Sequence, residues 1–178
     1  MNYLDATYPD INNGNGLRVT LWLSGCSHHC KNCHNPQTWD ESAGKLFDEK
    51  AKEHLYDILS LFYIEGITFS GGDPLFDGNI ENVDTLISEI KKYFPNKTIW
   101  LYTGFTWDEI KNDPQKMSVV NKCDVVVDGE YIDSLQDLSL AWRGSSNQNV
   151  IDVRKTLDSN TLIVWENEKD KWEKVEKH

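Results

Sequence analysis

Positive charge is what this sequence has least of. Eighteen lysines and arginines stand against 29 aspartates and glutamates in 178 residues, a formal charge of -11. A chain this acidic must overcome its own repulsion before it meets phosphates, which argues against nucleic acid and anionic membrane surfaces as partners. Long apolar runs are missing too, so no segment is suited to span a bilayer. The opening residues, Met1-Asn2-Tyr3-Leu4-Asp5, lack the basic and apolar regions of a signal peptide. The expected location is therefore a reducing cytoplasm, where clustered thiols favour metal over disulfide. There is no internal repeat, no low-complexity linker, and no obvious Ser-His-Asp or paired-carboxylate constellation. The length suits one domain with a real core. Residues 1–165 read as that domain. Residues 166–178 read as a charged C-terminal tail, nine of its thirteen residues being Glu, Lys or Asp.

Cysteine is not scarce, and its distribution is uneven. Three of the four cysteines fall within eight residues, Cys26-Ser27-His28-His29-Cys30-Lys31-Asn32-Cys33, a C-x3-C-x2-C cluster. Four readings compete for it. Structural zinc needs a fourth ligand, from His28, His29, His34 or the distant Cys123, and the usual paired C-x2-C knuckles are missing. Cys30 to His34 matches the C-x-x-C-H haem-attachment pattern, but that leaves Cys26 unexplained and only Met1 and Met117 as methionine axial ligands. A redox dithiol fits poorly with three thiols so close together. An iron–sulfur cubane held at three corners, with its fourth iron open, accounts for a count that stops at three. Cys123, standing before Asp124-Val125-Val126-Val127, reads as a small buried hydrophobe beside a strand.

The rest of the pattern is strand–helix repetition. Leu17 to Leu23 reads as a strand that delivers the chain into the cysteine loop. Between Asp48 and Phe62, Ala51, Leu55, Ile58, Leu59 and Phe62 form one helical stripe. Ile67-Thr68-Phe69 is a short strand ending in Ser70-Gly71-Gly72-Asp73-Pro74. A second amphipathic helix carries Val83, Leu86, Ile87, Ile90 and Phe94 on one face. Thr98 to Thr103 is a strand, Thr106-Trp107-Asp108-Glu109 has the form of a capping box, and Val125-Val126-Val127 is a further strand running into Asp128-Gly129. Strands alternating with helices imply a parallel α/β sheet, whose sites form at the C-terminal strand ends. The cysteine loop and the Gly-Gly-Asp loop both lie at such ends and are expected to share one mouth. Trp39, Trp107 and Trp142 are expected in loops, as interface residues or as covers for the core.

C-x3-C-x2-C followed by Gly-Gly-Asp resembles the radical S-adenosylmethionine enzymes. The resemblance implies that Cys26, Cys30 and Cys33 are the metal ligands of a [4Fe–4S] cluster, with S-adenosyl-L-methionine on the open iron. Asn32, Cys33, His34, Gly71, Gly72 and Asp73 are the implied cofactor-binding residues, although relatives often carry an aromatic residue where this chain has Asn32. Asn2-Tyr3, Asn13-Gly14, Cys33-His34-Asn35-Pro36, Thr38-Trp39, Ser70 to Leu75, Ile99 to Gly104, Val127-Asp128-Gly129 and Trp142-Arg143-Gly144-Ser145-Ser146-Asn147-Gln148 resemble, more narrowly, the activases of anaerobic (class III) ribonucleotide reductases. That resemblance runs from about Met1 to Val153. It implies an oxidoreductase that cleaves S-adenosylmethionine and places a glycyl radical on the reductase, with a one-electron donor such as reduced flavodoxin. At this length it implies an incomplete radical-SAM β/α barrel of about five or six mostly parallel strands, since a full barrel needs about 200 residues or more. Arg143 is either a partner for a carboxylate of cofactor or reductase or a plain surface ion pair, and Asp128 is either a ligand contact or a turn-former. Two other functions stay open: activation of another glycyl-radical enzyme, and iron–sulfur electron transfer with Cys123 as a fourth ligand.

Overall fold

The structure, a computed structural model, describes residues 1–166. All but Glu166 of the charged tail lies outside the described residues. Seven strands form one sheet: β1 (Asn2–Asp10), β2 (Arg18–Leu23), β3 (Lys45–Leu46), β4 (Gly66–Gly71), β5 (Thr98–Tyr102), β6 (Val125–Asp128) and β7 (Asn149–Asp152). Their order is β3-β1-β2-β4-β5-β6-β7. The central four, β2-β4-β5-β6, are parallel, joined through α1 (Glu49–Ser60), α2 (Ile80–Tyr93), α3 (Trp107–Asn112) and α4 (Pro114–Val120). The strand–helix alternation thus becomes the parallel α/β core that it implies.

The expected count of five or six strands is corrected to seven, and both margins are antiparallel. On one side β1 pairs with β2 and β3 with β1; on the other β7 pairs with β6, followed by α5 (Val153–Ser159). β1 escaped detection because it is a half-exposed strand with only Tyr3 and Asp10 buried, so its apolar signal is thin. Trp107, expected in a loop, occupies the first turn of α3 behind the Thr106–Glu109 capping box.

The two faces of the sheet differ in kind. Val19, Leu21, Leu23, Ile67, Phe69, Ile99, Leu101, Val126 and Ile151 point to one face and pack against buried side chains from all five helices. The period-two alternation sends Arg18, Thr20, Trp22, Thr68, Ser70, Trp100 and Tyr102 to the other face. No helix covers it among the described residues. The 11–17 loop folds over part of this face: Asn13 O accepts from Thr68 Oγ1 at 2.7 Å and Asn15 O from Arg18 Nη1 at 3.0 Å. Trp142 and Trp165 pack on Trp100 with ring centroids 5.4 and 5.1 Å away. Arg18 is fully buried beneath this cover, without a carboxylate in contact among the described residues. Its guanidinium donates to the hydroxyls of Thr68 and Thr98 and to the carbonyls of Asn15, Ile67 and Thr98.

Candidate active site

The cysteine loop leaves the end of β2 and is fixed before it begins to turn. Gly25 N donates to Thr38 O at 2.8 Å and Cys26 N to Trp39 O at 3.2 Å, so the segment after the cysteines returns to brace the segment before them. The Gly-Gly-Asp loop leaves β4 beside it. Gly72 N donates to Leu23 O and Asp73 N to Gly25 O, both at 2.8 Å. These two bonds weld the loops together, and they explain the glycines. Gly71 has φ +100°, and a side-chain carbon on Gly72 would stand 2.4 Å from Gly25 O. Gly71 is required by its positive φ, and Gly72 by the approach of two backbones to each other.

The weld brings the expected residues to one place. Cys26, Cys30, Cys33, His34, Gly71, Gly72 and Asp73 line a single cavity of about 310 Å³ at the C-terminal strand ends. Its far wall, unforeseen in the sequence, comes from Trp22, Ser70, Tyr102, Thr103, Tyr131 and Gln148. Asn32 is the predicted contact that does not line it. It is exposed with φ +57°, and its amide donates to Asp133 Oδ2 at 3.0 Å. Asp73 is in the wall, but its carboxylate is taken up by the protein. It accepts from Thr103 Oγ1 at 2.9 Å, Gly104 N at 3.0 Å and Leu75 N at 2.8 Å, and it pairs with His28.

That last pairing makes His28 more than a loop histidine. Its Nε2 lies 2.9 Å from Asp73 Oδ2 and its Nδ1 lies 2.9 Å from Glu130 Oε1. Burial alone would lower its pKa, but the two carboxylates carry it up to about 9, so the ring is an imidazolium donating from both nitrogens. One side chain in the cysteine loop thereby ties the ends of β2, β4 and β6. A side chain on Gly104 would fall 2.5 Å from the His28 ring, which is why that ring can lie flush on the end of β5.

Each cluster thiol is met by backbone donors. Burial pushes the Cys26 and Cys30 thiols up, while the amides of His28 and His29 act on Cys26 and that of Tyr131 on Cys30 in the opposite sense. Asn35 N donates to Cys33 Sγ at 3.3 Å. Amides aimed at sulfur stabilise thiolate and tune an iron–sulfur group. Trp39 packs on His29 at 4.8 Å, and its buried indole N–H has no partner among the described residues. Among the described residues no His, Cys, Asp and Glu side chains converge as a set of three on a single metal ion. Cys123 is elsewhere, buried in the helix-side core at the opposite end of β6, with its thiol on Val119 O.

The remaining candidates turn inward. Arg143 Nη1 donates to Gln148 O at 2.6 Å. Asp128 accepts from Trp107 N, Asn149 N and Asn149 Nδ2, so it fixes the start of α3 and of β7. Gln148 Oε1 accepts from Gly144 N and Ser145 N, and its Nε2 donates to Gly129 O. The Trp142–Gln148 run is a self-bonded loop seated on the end of β6.

Comparison with known proteins adds the following. Residues 12–151 match a family described as a 4Fe-4S single cluster domain. An anaerobic ribonucleoside-triphosphate reductase-activating protein of Haemophilus influenzae is 42% identical over 83% of this chain and 96% of its own length. Proteins of the same description from Enterobacteria phage T4 and Escherichia coli K12 are 41% and 40% identical, over 94% and 86% of this chain and the full length of each.

Proposed function

The chain belongs to the family of anaerobic ribonucleoside-triphosphate reductase-activating proteins and carries a 4Fe-4S single cluster domain, and from that premise we propose that it generates a glycyl radical on an anaerobic ribonucleotide reductase. Cys26, Cys30 and Cys33 would hold the cluster, and S-adenosyl-L-methionine would lie between it and the Gly71–Gly72 backbone. Electrons would come from a one-electron donor such as reduced flavodoxin. When bound, cluster and S-adenosylmethionine together supply the one-electron chemistry that removes a hydrogen atom from a glycine α-carbon.

The observation that carries this reading is the meeting of all three thiols with the Gly-Gly-Asp loop in one cavity. The residues present have defined tasks. The thiols bind as thiolates, and the amides of His28, His29, Tyr131 and Asn35 disperse their charge. Asp73 acts through what it positions, holding His28 on one side and the Thr103–Gly104 turn on the other. The exchange of a hydrogen atom calls for no general base, and His28 is fully committed to two carboxylates. Cys123, at the wrong end of the sheet, cannot close the cluster as a fourth ligand, which removes the main support for a simple electron carrier.

The half-covered sheet fits an incomplete radical-SAM barrel, with helices outside and the Arg18–Thr20–Trp22 face within. Incubation with a candidate anaerobic reductase, S-adenosylmethionine and dithionite should give a glycyl doublet in electron paramagnetic resonance. A Cys26→Ala control should give none. Reconstituted protein that neither releases 5′-deoxyadenosine nor gives the doublet would sink the reading.

A further inference from the structure

Between Gly129 and Gly144 the chain makes a long loop whose two feet stand in the wall of the thiol cavity, Tyr131 at one and Gly144 at the other. The loop has little helix or strand, only the single turn Asp133–Leu135, yet it is thoroughly bonded. Ser146 N donates to Leu135 O at 2.9 Å, Ile132 N to Ser145 Oγ at 3.1 Å, and Asn147 Nδ2 to Glu130 O at 2.8 Å. The Trp142–Gln148 run is thus the scaffold of this loop. It does not reach into the cavity with a charged group of its own.

The fixed backbone presents apolar side chains to solvent. Leu138 is 92% exposed, Leu135 41% and Ile132 40%. A soluble surface gains nothing from displaying leucine on a bonded loop, whereas a docking surface gains a preorganised anchor. Phe62 is as exposed, but it precedes β4 and lies at the other end of the sheet from the cavity. The loop's own charge is of one sign: from Glu130 to Trp142 there are three Asp and Glu residues and no Lys, Arg or His.

We propose that the 131–142 loop, held by the Trp142–Gln148 run, is the docking element for the reductase, seating an apolar patch on that protein ringed by lysine or arginine. The inference rests on the functional reading above and names where its partner sits. The occupant follows from position. A hydrogen atom is transferred only in contact, so the glycine must enter the cavity, and the protein bearing it must lie against the cavity's rim. The loop rises from that rim, with Tyr131 and Gly144 in the cavity wall. It also touches the site chemically: the Tyr131 amide acts on the Cys30 thiol and the Tyr131 ring packs on His34 at 4.7 Å. A partner pressing on the loop therefore bears on a cluster ligand.

The test uses the reconstituted full chain and the double variant Leu135→Ser, Leu138→Ser. Three quantities are read: 5′-deoxyadenosine released without reductase, affinity for the reductase by biolayer interferometry, and glycyl-radical yield with dithionite. The expected result is unchanged release, affinity weakened at least about tenfold, and a proportionate loss of radical at limiting protein. Unchanged affinity and radical yield would overturn the proposal. So would a defect seen only when a protein electron donor replaces dithionite, since the loop would then belong to that donor. Absence of 5′-deoxyadenosine from the unsubstituted protein would overturn the functional reading itself, and with it this inference.

Discussion

Two buried residues carry consequences that their chemistry makes measurable. Arg18 has satisfied every donor with carbonyls and hydroxyls, and it meets no carboxylate among the described residues. Burial draws its pKa down to about 10, with Tyr102, Asp124, Glu65 and Asp10 opposing at a distance. Arg18→Met removes the donors and leaves three backbone carbonyls facing an apolar chain, a loss of about 3 kcal/mol by urea denaturation. A loss below about 1 kcal/mol would show that water replaces the guanidinium. Cys123 is the second case. Complete burial pushes its thiol well above the usual range, so the metal-free protein should yield three rapidly reacting thiols to Ellman's reagent and a fourth only in denaturant. A fourth reacting at the native rate would contradict the placement of Cys123 in the core. At this scale the sequence was a good guide to Cys123, buried beside its strand, and to the meeting of Cys26, Cys30 and Cys33 with the Gly-Gly-Asp loop at one mouth. It was a poor guide to His28, whose two carboxylate partners lie 45 and 102 residues away. Long-range pairing of that kind leaves no local trace.

Among elements, the decisive contact is between the loops that end β2 and β4. Gly72→Ala must displace Gly25 O or Thr38 O, which a Cβ would approach to 2.4 and 3.0 Å. Cysteine loop and Gly-Gly-Asp loop would then part. Iron retained after reconstitution should fall, and affinity for S-adenosylmethionine should drop by about tenfold or more in isothermal titration calorimetry. Retention of both would mean that the weld is dispensable. Helices α1 and α2 and the parallel strands were legible because each buries a regular apolar face, as Leu55, Ile58 and Leu59 do in α1. β3 and β7 were not. Lys45–Leu46 is exposed and two residues long, and Asn149–Asp152 is four residues long, too short to display a period. The Trp142–Gln148 run was conspicuous as a mark of the family, but its internal bonding was not legible. Arg143 and Gln148 spend their hydrogen bonds within the run and on Gly129, and Trp142 packs on Trp100 and Trp165.

For the molecule as a whole, charge and shape point the same way. A chain of net charge -11 repels acidic partners and draws in basic ones, and such steering is screened by salt. Association with the reductase should therefore slow several-fold between low and physiological ionic strength, read as the on-rate by stopped flow, while the off-rate changes little. A salt-independent on-rate would place the contact outside the acidic rim. The sheet gives the wider lesson. Helices stand behind it, and among the described residues one loop and two indoles lie in front. On the function proposed above, this open side is closed by another protein. Such a vessel would need no lid of its own, because arrival of the correct client would complete the enclosure and departure would open it. Selectivity and containment become a single event, and chemistry too reactive to be left in open water is sheltered for as long as something is present to receive it.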